Sequence, residues 1–96
     1  MTRHYETAFI FNSALDDAGL EREMKKAEEL IASHGGTVGD WDKWGRRKLA
    51  FPIKRHEDGI YAFLRFECEP SAIAKLGEAH RLNESIVRQM TIVMDD

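Results

Sequence analysis

The order in which hydrophobic periodicity changes along the chain is the strongest constraint on its fold. Apolar and polar residues alternate, as they do in strands, in four segments that we place at residues 3–12, 37–51, 60–68 and 86–94. Two other segments have the three- and four-residue spacing of an amphipathic helix. The first lies between the caps Asp16-Asp17 and the stop Gly35-Gly36, and the second between Pro70 and Asn83. The predicted order is therefore strand, helix, strand, strand, helix, strand.

This order predicts an α+β fold, the ferredoxin-like βαββαβ sandwich, in which a four-stranded antiparallel sheet carries two helices on one face. With 96 residues and no stretch left for a linker, we expect residues 1–96 to form a single domain. The second helix has an apolar stripe of Ile73, Leu76 and Ala79. We expect a core of Leu20, Met24, Ile31, Leu64, Phe66, Ile73 and Leu76. The fourth strand is apolar on both faces, so its orientation is left open.

The second strand contains an irregularity and ends near a turn. Trp41 and Trp44 are three residues apart and cannot share a face of a regular strand, so we predict a bulge near Gly45 that reconciles them. Pro52 cannot donate a ladder hydrogen bond, which places it on an edge strand or at the end of this strand. The dipeptide Asp58-Gly59 predicts the turn that leads into the third strand.

The third strand, residues 60–68, has two different faces. One row is apolar and should face the helices: Ile60, Ala62, Leu64, Phe66 and Cys68. The other row places Tyr61 and Phe63 on the open face of the sheet. The stretch GIYAFLRF partly matches the octapeptide with which RNA-recognition-motif domains stack bases, but a basic residue and a glycine are expected where Gly59 and Ile60 stand. Base stacking is thus one alternative, and partner packing or plain cover of the sheet is the other.

Charge is distributed unevenly along the chain. Residues 43–55 carry six basic side chains and no acid, and since the net charge is -3, the remainder of the chain carries -9. Such a segment can form a local patch that binds phosphates on an otherwise acidic body. It can also be a charged edge strand that protects the sheet from aggregation. Because the whole chain is acidic, any nucleic-acid binding must be local.

The segment GRRKLAFPIKR, residues 45–55, resembles the glycine, basic run and Leu-Ala-Tyr-Pro-Ile segment of the bacterial small-subunit (30S) ribosomal protein S6 family. The resemblance covers essentially the whole chain, because it extends to three further segments: Arg3-His4-Tyr5-Glu6 in the first strand, Asn12 with Leu15-Asp16 before the first helix, and Ile86-Val87-Arg88 in the fourth strand. The sequence departs from the family at Phe51, where most members have tyrosine.

This resemblance implies a non-enzymatic structural constituent of the small ribosomal subunit in the cytoplasm. It also implies that the chain forms a heterodimer with ribosomal protein S18, binds the central domain of 16S ribosomal RNA, and supports subunit assembly and translation. The basic residues carried over as RNA-binding, through phosphate and sugar, are Arg3, Arg47, Lys54, Arg55 and Arg88, followed by Lys48 and Arg46. At the partner-protein interface we expect Tyr61, Phe63 and Phe51.

Other functions find less support in the sequence. The alternative is a single-stranded RNA-binding module of the RNA-recognition-motif type, with Tyr61 and Phe63 as its stacking platform. An acylphosphatase-like enzyme needs glycines and an arginine after the first strand, whereas residues 12–17 carry two acids and neither of these. One cysteine and four histidines in separate elements, with His56 in the loop before the predicted turn, give no metal site. We expect no cofactor, no small-molecule substrate and no membrane span.

Overall fold

The structure, a computed structural model, describes residues 1–94. Its elements follow the predicted order: β1 (Arg3–Phe11), α1 (Asp17–Ser33), β2 (Thr37–Ile53), β3 (His56–Cys68), α2 (Ile73–Leu82) and β4 (Ile86–Val93). A 3-10 turn at Pro70–Ala72 leads into α2. The strand order is β2-β3-β1-β4, and all neighbouring strands are antiparallel. The predicted ferredoxin-like α+β fold is confirmed.

A single apolar core lies between the sheet and the two helices. The β3 row that was expected to face the helices is buried throughout, from Ile60 to Cys68, which confirms its orientation. Five residues of the predicted core are buried and two are half-buried against them: Met24, Ile31, Leu64, Phe66 and Leu76, then Leu20 and Ile73. Since this row faces the helices, the opposite face of the sheet is the one left open for binding.

Three of the four helix ends lie where the predicted capping residues place them, but α2 begins at Ile73 and not at Pro70, which starts the 3-10 turn instead. The Asp16 carboxylate accepts a hydrogen bond from the backbone N–H of Gly19 at 2.7 Å, which satisfies one of the free donors at the start of α1. At the other end of α1, Gly35 has a φ of 80° and its N–H bonds back to the last turn at 3.0 Å. The helix α2 stops at Asn83, whose N–H donates to the carbonyl of His80 at 3.1 Å.

The inward face of α2 differs from the prediction at one position. Ala79 is only half-buried, whereas His80 is 4% exposed and meets the Phe9 ring edge-on, with 4.9 Å between ring centroids. Burial lowers the pKa of His80 to about 4, so the imidazole is neutral at pH 7. A neutral histidine packs like an aromatic residue, and a search for apolar periodicity does not register it.

The predicted bulge near Gly45 is present, but the prediction that it brings the two tryptophans together is wrong. The β2–β3 register shifts between Lys43 and Gly45, so the extra residue is Trp44 itself. Regular alternation therefore persists from Trp41 to Trp44, and the two side chains point to opposite faces. Trp41 packs against Phe9 at 5.7 Å on the core side. A second register shift lies just upstream, between Val38 and Trp41.

The predicted turn at Asp58-Gly59 is also wrong. The chain turns at Lys54 and Arg55, which have φ values of 49° and 71°, and Ile53 pairs with His56 across the turn. Positive φ at both central residues is the signature of a type I′ hairpin turn, which ordinarily uses asparagine and glycine. Because neither residue type is present at positions 54 and 55, the sequence contains no recognisable turn signal there. β2 continues through Pro52 to Ile53, and His56 is the first residue of β3 rather than part of a loop.

The glycine of the dipeptide Asp58-Gly59 has a packing role instead. Gly59 lies inside β3, opposite Arg47, and is buried. A Cβ built on it would clash with Cγ2 of Ile10 on the neighbouring strand β1. Glycine is needed here because two strands approach closely, and a sequence pattern does not distinguish that need from a turn.

The orientation of β4, which the sequence left open, follows from a bulge. The β1–β4 register shifts at Ile10 and Phe11, and Val87 is the extra residue. Ile86 joins the core beneath the helices, while Val87 packs on the other face. Further along, Arg88 pairs with Ile10 and Met90 with Ala8, which places both side chains on the open face.

Candidate RNA and partner interface

An aromatic cluster covers part of the open face. Trp44 stacks on Tyr61, with centroids 6.5 Å apart and 22° between the planes, and contacts Phe63 at 4.8 Å. The Arg47 guanidinium carbon lies 5.9 Å from the centroid of the Trp44 ring, within cation–π range. Tyr61 and Phe63 are half-buried on the open face, as the alternation predicts. Trp44 therefore lies where bases would have to stack on these two rings.

The end of the β2–β3 hairpin reaches across the open face to the opposite edge of the sheet. Leu49 is buried there against Ile10 of β1 and Val87 of β4, and Ile53 and Tyr61 pack around them. We call these five residues the tip cluster. Since β2 and β4 are the two edge strands, the tip cluster carries the turn residues from one edge of the sheet to the other.

Three of the predicted RNA-binding residues meet at this end of the sheet. Lys54 and Arg55 are exposed at the turn, and Lys54 lines a cavity of about 210 Å³ together with Arg88 of β4. Within residues 1–94, neither Lys54 nor Arg88 takes part in an ion pair. Their positive charge is therefore available to an anion from outside the chain.

The other cations of the basic segment have different surroundings. Arg47 and Lys48 are exposed on β2. Arg46 donates from Nη2 to the backbone carbonyl of Ser13 at 2.8 Å, which ties β2 to the loop before α1. Lys43 pairs with Glu21 of α1 at 3.2 Å. Lys43 and Arg46 are thus engaged within the chain and Arg47 lies over the Trp44 ring, while all six side chains of the segment remain exposed.

Arg3 lies apart from the rest of the predicted site. It begins β1 and pairs in register with Cys68, at the far end of the strand from Ile10 and Arg88. At about 3.4 Å per residue, Arg3 and Ile10 are roughly 24 Å apart along β1. The structure does not bring Arg3 to the turn.

Large apolar side chains are exposed beside these cations. Trp44 is 51% exposed, and Phe51, a predicted partner residue, is 66% exposed. On β4, Met90 is 50% exposed on the open face. Large exposed apolar side chains are one feature of protein interfaces. β2 is an edge strand, as Pro52 predicts, so its charges and bulges also protect that edge.

The sequence reasoning missed Trp44 and Arg81 as parts of this surface. The odd spacing of Trp41 and Trp44 was a signal, but it was interpreted as a shared face. Arg81, at the end of α2, lines the same cavity as Lys54 and Arg88. No local sequence pattern links these three residues, because the tip cluster brings Lys54 to β4 and the packing of α2 against β4 brings Arg81 there.

Three other kinds of functional feature that a chain can carry are a metal site, a reactive thiol and a membrane-spanning helix. In the part of the chain that the structure describes, no group of histidine, cysteine and acidic residues could hold a metal ion. Burial raises the pKa of the Cys68 thiol, with a further contribution from Glu69, so the thiol is unreactive. No helix among residues 1–94 is long and apolar enough to cross a membrane.

Comparison with known proteins agrees with the fold and with the family resemblance. The model of the family "Ribosomal protein S6" matches residues 4–93. The small ribosomal subunit protein bS6 of Clostridium botulinum (strain 657 / Type Ba4) is 36% identical over 93 residues, which cover 97% of this chain and 99% of that protein. The bS6 protein of Clostridium novyi (strain NT) is 36% identical over 90 residues, covering 94% and 95%.

A solved structure shows the same fold. The crystal structure of the 30S ribosomal protein S6 from Thermotoga maritima matches with a TM-score of 0.90 and 24% sequence identity, covering 98% of this chain and 89% of that one. Because the relatives are ribosomal proteins, the prediction that this chain is not an enzyme is confirmed. From the family match and the near full-length relatives, the chain belongs to the ribosomal protein S6 family of small-ribosomal-subunit proteins.

Proposed function

We propose that this chain, as a single domain in the cytoplasm, joins ribosomal protein S18 as a heterodimer and binds the central domain of 16S ribosomal RNA. In that role it supports assembly of the small subunit and translation. The observation that carries the proposal is the surface where Lys54, Arg55 and Arg88 meet beside exposed apolar side chains. Cations bind the RNA backbone, and the apolar surface packs against the partner protein.

A partner is expected on electrostatic grounds. The chain has a net charge of -3, and only a few of its cations lie where they can touch one RNA surface. Each phosphate neutralised by lysine or arginine adds a counterion-release contribution, so a small number of contacts gives weak binding. A basic partner supplies more contacts and is attracted by the acidic remainder of the chain.

The partner surface that we propose is the aromatic cluster on the open face with Phe51. Tyr61 and Phe63 were expected there from the sequence, and Trp44 now forms their outer layer. Aromatic side chains are enriched at the centres of protein interfaces. The cover that Trp44 provides counts against the alternative, in which Tyr61 and Phe63 stack on bases.

The test is a titration of a central-domain fragment of 16S ribosomal RNA with this chain, with S18, and with both, at several salt concentrations. Tight binding is expected only from the pair, with an affinity that falls steeply as salt rises. Tight binding of unrelated single strands by this chain alone would instead support the RNA-recognition-motif alternative. If the pair does not bind the fragment, the proposal fails.

A further inference from the structure

A basic cavity lies where the hairpin turn, α2 and β4 meet. The cavity has a volume of about 210 Å³, several times the roughly 30 Å³ that one water occupies in the liquid. Lys54 lines it from the turn, Arg81 from the end of α2, and Arg88 and Gln89 from the start of β4. The hairpin turn, which is distant in sequence, and the consecutive elements α2 and β4 thus direct cationic and amide groups to one place.

The charged side chains that line this cavity are all positive, although one of them, Arg81, is paired with Glu78 outside the lining. Its lining contains three cations and no acid. Arg81 donates from Nη2 to Glu78 Oε1 at 2.6 Å and from Nε to Oε2 at 3.3 Å. That exposed pair uses two N–H donors of the guanidinium, and Nη1 retains its donors because arginine has five N–H groups. Lys54 and Arg88 retain full, unneutralised charges next to it.

The position of Lys54 depends on packing and on a strained turn. The tip cluster holds the hairpin end against Val87, one residue before Arg88. Lys54 and Arg55 adopt positive φ, a conformation that costs a residue with a side chain about 1–2 kcal/mol. Strain of this kind accumulates at functional sites, where the surrounding structure enforces it.

We propose that this cavity is a phosphate-binding pocket, in which Lys54, Arg81 and Arg88 hold one backbone phosphate of RNA and Gln89 donates an amide hydrogen bond to it. The inference rests on the proposed function, and it narrows that function to one contact point. Charge-assisted hydrogen bonds to phosphate position the protein on RNA without reading its sequence. The uncharged imidazole of His80 lines the inner wall and adds no charge.

The first test uses the complex of this chain with S18 and the 16S central-domain fragment. Lys54→Gln and Arg88→Gln are each expected to weaken RNA binding roughly tenfold or more, as loss of a charged hydrogen bond does. The matched controls Lys75→Gln and Arg22→Gln remove exposed cations from the helices and should change affinity by less than about twofold. Urea unfolding of each variant checks that it is folded.

The double variant Lys54→Gln/Arg88→Gln asks whether the two cations share a phosphate. If they do, its loss of affinity is smaller than the product of the two single losses, because removing either cation already weakens the same contact. Losses that multiply would show two independent contacts and would overturn the pocket. Pocket variants that behave like the helix controls would overturn it as well, while leaving the proposed function intact.

The second test does not depend on RNA. Inorganic phosphate is titrated into the free chain while nitrogen-15 NMR follows the Gln89 side-chain amide and the Nε–H of Arg81 and Arg88. A saturable shift that the double variant lacks is expected; shifts no larger than that of Arg22 would contradict the pocket. If phosphate shifts these signals but the S18 pair does not bind the RNA fragment, the proposed function fails and the phosphate pocket stands.

Discussion

The imidazole of His80 is buried between two cavities, each of which is lined by charged side chains. Lys54, Arg81 and Arg88 line the cavity on one side of it, and Glu23 and Lys26 line a larger groove between the helices on the other. Desolvation lowers its pKa from 6.5 to about 4, because burial disfavours the charged form. The folded protein therefore keeps His80 neutral at a pH where the unfolded chain protonates it.

We expect this difference to make the fold sensitive to mild acid. Between pH 6.5 and about 4 the unfolded state binds one proton more than the folded state, so the free energy of unfolding falls as pH falls. Because the pKa of His80 is lowered from 6.5 to about 4, this residue lowers the free energy of unfolding by roughly 3 kcal/mol over the whole of that pH range. Urea unfolding measured at half-unit steps of pH checks this.

The matched variants for this experiment are His80→Leu and His4→Gln. His80→Leu keeps an apolar side chain of similar size against Phe9 and should lose the part of the pH dependence that lies between pH 6.5 and 5. His4 has a side chain that is 64% exposed, so His4→Gln should retain the wild-type slope. An unchanged slope in His80→Leu would show that burial does not hold the imidazole neutral.

The positions of some single residues could be predicted from the sequence, and those of others could not. The β3 row was predictable because alternation over nine residues leaves one orientation that buries apolar side chains. His80 and Trp44 were not, since the position of each depends on a tertiary feature that local periodicity does not encode. His80 can be buried because its environment keeps it neutral. The orientation of Trp44 depends on which residue of β2 forms the bulge.

At the level of elements, the caps of α1 were predictable and the hairpin turn was not. Asp16 and Gly35 have backbone roles that only a few residue types fill, so sequence identifies them. The turn at Lys54 and Arg55 uses residue types that rarely adopt positive φ, and packing of the hairpin end imposes the conformation. Gly59, a glycine required by strand contact, was therefore interpreted as the turn.

Two glycine substitutions test that interpretation of the hairpin. Gly59→Ala is expected to destabilise the fold by about 1–3 kcal/mol, because its Cβ would overlap Ile10 across the strand pair. Gly77→Ala, in the middle of α2, should stabilise it by about 1 kcal/mol, since its Cβ would meet only Nε2 of Gln89 at 3.9 Å. Urea unfolding at neutral pH measures both changes.

Opposite signs for the two substitutions are the decisive result. If Gly59→Ala were as stable as the wild type, the close approach of β3 and β1 would be absent, and residues 58–59 would have the freedom of a turn. Gly77→Ala serves as the control, because it adds the same methyl group at a site with space for it.

The molecule as a whole separates a basic segment from an acidic remainder. The basic segment lies on an edge strand, and its end is carried across the sheet so that Lys54 meets Arg88. Composition predicted a local patch, because a net charge of -3 leaves no general attraction to RNA. Composition did not predict the cavity, which depends on the tip cluster and on the bulge at Val87.

The proposed function requires that RNA binds through cations at the turn, and not through aromatic rings on the open face. It is tested most directly by comparing Arg55→Glu with Tyr61→Ala in the S18 complex, through the affinity for the 16S central-domain fragment and its salt dependence. Arg55→Glu is expected to weaken binding and to flatten the salt dependence, while Tyr61→Ala leaves RNA affinity nearly unchanged. The reverse ranking, with a loss of roughly 1–3 kcal/mol on removing the Tyr61 ring and little effect of Arg55→Glu, would show that RNA binds to the aromatic rings of the open face instead.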